Sequence, residues 1–398
     1  MSNKNNICLV DFRLTGHHPF YLATFLHYFQ PFASNLCVFS ADTERCRESI
    51  ENALPSLDLC DIEFVHSGVV NSNFKRTWGA RSYFKLRELE RDVEQYESKV
   101  GYEFDFTFFA YLDDICNEDL IFPYLVQLPF RKKFSGLLMS PQDKLLYKRK
   151  FPLNYLTTTF LKQVDANFDH IGILTEDVKQ EVERKLSKHV QVYPDFCSLS
   201  VHAHSDRDLV SNIQSRSSGR LVTSLLGSIQ AHKSVDLFLR CIEVADSEKY
   251  FFVIAGKFNR NSFADKDWEV LSTAIENPPE NLLVYDKWIE NEAIFNSIIQ
   301  YSDLLFAFYR NFRKSSNIVT KGAYFRVPLI VSDQYLVAQR VKNYKLGYAV
   351  SEEILVEMYR DSEIGKFDFD ESARQKFIEI HSAGILSDIF SELVHSID

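Results

Sequence analysis

Glycine is scarce in this chain, with 13 among 398 residues. No two glycines stand two apart, so no G-x-G-x-x-G follows any strand-like run. That removes the usual fingerprint of a nicotinamide-dependent oxidoreductase. Cysteine is present but unorganised: the seven are an odd number and form no C-x-x-C pair. Cys8 stands within Ile7-Cys8-Leu9-Val10, where it reads as a small apolar residue. Such usage predicts free thiols in a reducing compartment rather than a disulfide framework. No His, Cys, Asp or Glu cluster has metal-ligand spacing, so neither a metal nor a cofactor is expected. Positive charge is in deficit, at a net −10, which speaks against a nucleic-acid partner. No apolar run approaches the ~18 residues of a membrane span. Met1 to Asn6 is polar and leads straight into a strand-like run, so no secretory leader is expected and the localisation reads as cytoplasmic.

What the chain has in quantity is apolar and aromatic surface. Apolar residues make up 45 %, with 34 Phe and 19 Tyr, enough for a large core. The length favours two domains. Short apolar runs alternate with amphipathic stretches throughout. In the first half the runs are Ile7–Asp11, Leu36–Ser40, Ile62–Val65, Phe106–Tyr111, Gly136–Met139, Ile171–Leu174 and Val190–Tyr193. In the second they are Leu221–Leu226, Tyr250–Ala255, Leu282–Tyr285, Leu304–Phe308 and Leu329–Val331. Helical spacing marks Phe20–Phe29, Ser82–Val100, Glu176–Leu186, Val235–Ala245, Asn291–Tyr301, Ser316–Phe325 and the tail from Glu371 to Ser396. The expected class is α/β: two Rossmann-like domains with mostly parallel sheets, facing across a cleft. The polar, Ser-rich stretch 206–219 reads as a linker. It separates an N-terminal domain, 1–205, from a C-terminal domain, 220–375, with a last helix at 376–398.

Two segments carry candidate chemistry. Gly227-Ser228-Ile229-Gln230-Ala231-His232-Lys233-Ser234 joins a strand to a helix, and can aim backbone N–H groups and a lysine at a phosphate. The segment from Tyr309 through Ser332 leads from a strand end into a cationic, hydroxyl-rich loop and then a helix. Ser315, Ser316 or Asn317 caps that helix, and Arg310, Arg313, Lys314 and Lys321 surround it with positive charge. Lys257 follows the strand-ending Gly256. Ligands in parallel sheets sit beyond the carboxyl ends of strands, where both segments lie.

The ordered set resembles the C-terminal domain of GT-B glycosyltransferases of the glycosyltransferase-4-like group. That group has strand–Gly–basic loop–Lys, matched at Gly227 and Lys233. It then has a strand ending in Gly, matched at Phe252-Val253-Ile254-Ala255-Gly256-Lys257. A Ser-Asp before a strand is matched at Ser302-Asp303, a Gly-x-Pro element at Phe325-Arg326-Val327-Pro328-Leu329-Ile330, and a late Gly-x-x-hydrophobic at Gly347-Tyr348-Ala349-Val350. In the first half, Asp11 to His18, Thr175-Glu176 and Val192-Tyr193-Pro194-Asp195 fit more loosely. The resemblance implies transfer of a sugar from a nucleotide-sugar donor to a glycan, lipid-linked or other acceptor, in polysaccharide or glycoconjugate synthesis. It also implies retention at the sugar and a last helix that crosses back to the N-domain. Together with the reading of the cationic loop, it gives as donor-binding candidates Gly227, Ser228, Lys233, Lys257, Arg313, Ser315, Ser316, Asn317 and Lys321.

The chain departs from the group at its signature. The two glutamates of the signature, with seven residues between them, are here Arg313 and Lys321, and the Arg that follows the first Gly is Ser228. Arg313 or Lys321 is expected to restore the missing positive charge for a departing diphosphate. The rival reading is a GT-B-like binding protein without activity, and a sugar-nucleotide epimerase shares the same features. In the first half, His17, His18 and Asp113 are the catalytic candidates, with Asp114 and Gln142 behind them. Arg131-Lys132-Lys133 and Lys144 to Lys150 form a basic, apolar area suited to peripheral contact with the inner face of a membrane.

Overall fold

A computed structural model describes residues 4–14, 16, 18–70, 79–146, 156–163, 170–201, 207–289 and 291–396. The chain divides into two compact units, residues 1–194 with 382–398, and residues 195–381.

The first unit runs β1 (Asn5–Val10), α1 (His18–Phe29), β2 (Ala33–Ser40), α2 (Thr43–Ala53), β3 (Ile62–His66), α3 (Arg81–Val100) and β4 (Phe106–Phe109). It continues with β5 (Asp119–Leu120), α4 (Phe122–Val126), β6 (Phe134–Leu138), β7 (Thr157–Thr158), β8 (His170–Ile173), α5 (Lys179–Leu186) and β9 (His189–Val192). Seven of these strands form one sheet in the order β3-β2-β1-β4-β6-β8-β9, with parallel pairs; β5 and β7 make a small antiparallel pair. The strand order reverses between β1 and β4, and a doubly wound sheet opens a crevice at that point. Strands buried on both faces need continuous apolar runs, and β4 and β6 are buried at every residue. Local signals fix the helix ends: Asp42 caps α2 by accepting from the Arg45 N–H at 3.1 Å, and Gly101, at φ +81°, ends α3.

The second unit runs α6 (Arg207–Ser217), β10 (Leu221–Leu226), α7 (Val235–Val244), β11 (Tyr250–Ala255), α8 (Asp265–Glu276), β12 (Leu282–Tyr285), α9 (Glu292–Tyr301) and β13 (Leu304–Phe306). It continues with α10 (Asn317–Phe325), β14 (Leu329–Ser332), α11 (Tyr335–Asn343), β15 (Gly347–Val350), α12 (Glu352–Arg360) and α13 (Glu371–Ile380); α14 (Ile385–His395) closes the chain. The sheet order is β12-β11-β10-β13-β14-β15, all parallel, with its reversal between β10 and β13.

Two expectations change. The stretch read as a linker holds α6, whose partly buried Leu209 and Val210 and buried Ile213 pack into the second unit's core. Its serines masked an apolar stripe at helical spacing. The boundary lies earlier, between Pro194 and Asp195. The tail is two helices, and the second belongs to the first unit. In α14, Leu386, Ile389, Phe390, Leu393 and Val394 are buried, a spacing that puts one apolar face on α1. Phe390 stacks on Phe29 at 4.1 Å and meets Phe25 and Phe108 edge-on, which accounts for part of the heavy phenylalanine usage. Among the described residues, no helix is long and apolar enough to cross a membrane.

Candidate functional site

The second unit's candidate site forms where β10 and β13 end side by side. Gly227 leaves β10 at φ +90°, and its N–H bonds the Ala255 carbonyl at 3.0 Å. Gly256 leaves β11 at φ +145°, so close that a Cβ there would lie 1.8 Å from the Gly227 carbonyl oxygen. Only glycine fits. Beyond them, Ile229 and Phe258 pair as an isolated parallel bridge, and the Arg310 N–H bonds the His232 carbonyl at 2.8 Å. The loop after β10 is thereby fastened to the exits of both neighbouring strands.

This frame presents Lys233. Its ammonium donates to the Leu226 carbonyl at 2.6 Å and lies 5.9 Å from the centre of the Tyr309 ring. No carboxylate lies within ion-pair distance of it among the described residues. Burial lowers its pKa from 10.5 to about 8. Beside it in the chain, the Ser234 hydroxyl is buried with no hydrogen-bond partner among the described residues. His232 stacks on Phe312 at 5.4 Å and 8°, with Tyr309 edge-on at 5.8 Å. Burial, then Lys233 and Lys314, lowers the His232 pKa to about 4, so the ring is neutral near pH 7. Ser228 accepts from the Gln230 side chain at 3.1 Å. Ser316 precedes α10 in extended backbone without a side-chain cap, and Asn317 is the first helical residue.

Several cations expected beside this loop are already neutralised. Lys321 has a side chain 1 % exposed; it pairs with Glu292 of α9 and donates to Asn296 Oδ1 at 2.5 Å. Arg310 is held by Glu352 at 2.6 and 2.8 Å and by Asp236 at 2.7 Å, and these carboxylates raise its pKa further. Lys257 pairs with Asp286 at 3.1 Å on the surface. Ser315 donates to Asp195, which also holds the buried Arg340 at 3.1 Å. Lys321, Ser315 and Lys257 therefore work in holding helices and loops together. Arg313 is exposed, with its guanidinium 5.0 Å from the Tyr335 ring centre.

In the first unit the ends of β1 and β4 bring together Asp11, Arg13, His18, Tyr111, Asp113 and Asp114. Asp11 is buried; it accepts from the Arg13 N–H at 2.8 Å and stands 3.6 Å from His18 Nδ1. Burial raises the Asp11 pKa, and His18 opposes that shift. His18, first residue of α1, packs edge-on against Tyr111 at 4.5 Å. Asp113 is buried, and its Oδ2 accepts from the Met139 N–H at 2.8 Å, which ties the end of β4 to the end of β6. Asp114 holds Arg13 in a bidentate pair. His17 and residues 148–150 lie outside the described residues. Lys132 pairs with Glu97 and Glu103, and Lys144 donates to the Asn117 side-chain Oδ1 at 2.8 Å.

The chain matches no protein-family model and no curated protein sequence. Solved structures do match over its full length. A glycosyltransferase from Rickettsia africae aligns at TM-score 0.66 and 14 % identity, covering 99 % of both chains. HepE from Anabaena, solved with UDP and glucose, aligns at 0.64 and 10 %, covering 98 % of this chain and 100 % of that one. Sucrose-phosphate synthase from Thermosynechococcus elongatus aligns at 0.63 and 11 %, covering 99 % of both.

The chain has the GT-B fold.

Within that fold, sequence reasoning found Gly227 and Lys233 but missed the partners that decide what the neighbouring charges do. Glu292, Asp236, Glu352 and Arg340 each lie at least 29 residues from the group they neutralise. It also missed the Asp11–His18 pair. An acid ending β1 with a histidine seven residues on, opening a helix, was the available signal.

Proposed function

We propose that this chain is a nucleotide-sugar-dependent glycosyltransferase whose donor diphosphate binds at the Gly227–Lys233 loop. The observation that carries this reading is Lys233, a part-buried ammonium with no carboxylate beside it. A folded protein rarely leaves such a charge uncompensated unless a ligand supplies the anion. Ser234, an orphaned hydroxyl next to it, points the same way. Backbone N–H groups at the start of α7 add the favourable end of a helix dipole. That HepE was solved with UDP and with glucose supports a uridine nucleotide among the donors to be tried first.

In the first unit we assign His18, oriented by Asp11, to the hydroxyl or phosphate chemistry of the reaction. The acceptor is read as a glycan or lipid-linked sugar, and the outcome as retention. In retaining transfer the donor phosphate itself takes the acceptor proton, so a carboxylate base is not obligatory. Anomeric analysis of the product by NMR checks this; inversion would make His18 the general base instead.

A second reading, a binding protein that does not turn over, is favoured by one observation: Arg313 and Lys321 occupy the two signature glutamate positions. A thermal-shift screen against UDP, GDP, ADP and CMP sugars, followed by donor-hydrolysis and transfer assays, separates the two. Binding of one nucleotide with turnover supports the enzyme, and binding without turnover supports the second reading. No shift with any of them would sink both.

A further inference from the structure

Among the described residues, the most exposed large apolar side chains in the first unit stand together on α4. Phe122, Leu125 and Val126 are 73, 73 and 70 % exposed. Their i, i+3, i+4 spacing places them on one face of the short helix. The opposite side is anchored: Tyr124 is buried, packs against Tyr83 at 5.3 Å and donates to Asp119 at 2.9 Å. Asp119 also accepts from the Tyr83 N–H at 2.9 Å, so α4 is held on the start of α3. Leu156, likewise exposed, adjoins α4, since its carbonyl accepts from the Ile121 N–H at 2.9 Å. A firmly held helix turn that points three large apolar groups into solvent marks an interaction surface.

Charge indicates what covers it. On α3, Arg81, Phe84, Arg87 and Arg91 are exposed at spacings of three, three and four, which is one helix face beside the Tyr83–Tyr124 contact. Of the acids on α3, Glu88 pairs with Arg91 at 3.1 Å, Glu90 accepts from the Arg131 N–H at 2.8 Å, and Glu94 is exposed one turn past Arg91, so positive charge prevails at the Arg81–Arg87 end of this face. The described residues 120–146 and 156–163 hold five Lys or Arg and one acid, in a chain of net −10. An apolar wedge edged with arginines in an otherwise acidic protein is complementary to an anionic bilayer. Acyl chains take the wedge, and headgroup phosphates take the guanidinium groups. A second copy fits poorly, because a two-fold contact would bring like-charged arginine faces together.

We propose that the Phe122–Leu125–Val126 face of α4, with Leu156 and the arginine face of α3, docks this protein onto an anionic lipid surface. The inference does not depend on sugar transfer.

The test is co-sedimentation of the full chain with vesicles of phosphatidylcholine, with and without phosphatidylglycerol. Binding is expected only when phosphatidylglycerol is present, and is lost at high salt. The triple variant Phe122→Ser, Leu125→Ser, Val126→Ser should weaken it at least about tenfold. Each of Arg81→Gln, Arg87→Gln and Arg91→Gln should weaken it about fivefold. These side chains are exposed, so an unchanged Tm is expected. Should the triple variant fail to fold, Phe122→Trp carries the test: its emission should be quenched by brominated lipid in phosphatidylglycerol vesicles. No binding to either vesicle, undiminished binding by a folded triple variant, or an unquenched Trp would overturn the proposal. So would a dimer in sedimentation velocity that the triple variant abolishes, which would assign the face to a second copy.

Discussion

Lys321 of α10 reaches across to Glu292 of α9, so a position where the resembling family carries a glutamate holds a cation already matched to a carboxylate. Asn296 completes the contact, and its amide donates to the Ser198 and Ser200 carbonyls at 3.0 and 2.7 Å. Charge at residue 321 therefore fastens α9, α10 and the segment after Pro194. Lys321→Met should cost ~1–3 kcal/mol in urea unfolding, less than a fully buried pair because Glu292 is 45 % exposed. Nucleotide affinity should stay within about twofold, as expected when no direct contact is removed. A large loss of affinity with unchanged stability would return Lys321 to the donor site.

Among the described residues, Asp195 and Arg340 form the most deeply buried ion pair of the second unit, with side chains 3 and 1 % exposed. Ser315 bonds both, and Thr320 donates to the Asp195 carbonyl at 2.7 Å. Asp195→Asn leaves a buried guanidinium without its counter-charge, for an expected loss of ~3–5 kcal/mol. Asp195→Leu with Arg340→Met should lose much less than the two single changes together. Chemical denaturation of the four proteins of the cycle checks both statements. Additive losses would show that the pair acts as two independent residues.

The alternation of strands and helices was readable because buried parallel strands require continuous apolar runs; β10, β11 and β12 fall where those runs lie. Helices whose apolar stripe is thin were not. In α6 serines hid Leu209, Val210 and Ile213, and α2 offers only Cys46 and Ile50 to the core. At the site, glycine and lysine were legible because strand-to-helix loops restrict which residues fit. Whether a cation is available was not, since that depends on acids brought in by the fold. Arg310 looks like an anion ligand in sequence and is held by Asp236 and Glu352 in space.

His381 gives a pH dependence with a definite sign. Its Nδ1 accepts from the Asp195 N–H at 3.0 Å, and burial, then Arg340, lowers its pKa to about 3. The unfolded value is about 6.5. Between the two the unfolded chain binds more protons, so stability falls as pH drops below about 6.5, by ~1.4 kcal/mol per unit at most. His381→Gln keeps an acceptor for the Asp195 N–H and removes the titration. Its unfolding free energy should therefore be flatter with pH across that window. Hydrogen exchange of residues 195–381 reports this directly, and an unchanged slope would assign the dependence to other groups.

Lys233 gives the same sign in a higher pH window, and a test of the donor site. Its folded pKa of about 8 lies below the unfolded value of about 10.4, so the unfolded state binds more protons between them. Stability of the free protein attributable to this group therefore rises as pH increases through that window. A bound diphosphate favours the charged ammonium and reverses the preference. Nucleotide affinity should accordingly fall as pH rises past about 8, and binding near pH 8 should take up a fraction of a proton. Calorimetry in buffers of different ionisation enthalpy measures that uptake. Lys233→Ala should weaken binding at least about tenfold, the loss of one charge-assisted hydrogen bond, and abolish the uptake. Uptake that persists in Lys233→Ala would place the responding proton elsewhere. Affinity that is flat from pH 7 to about 9 in the unaltered chain would remove Lys233 from the donor site.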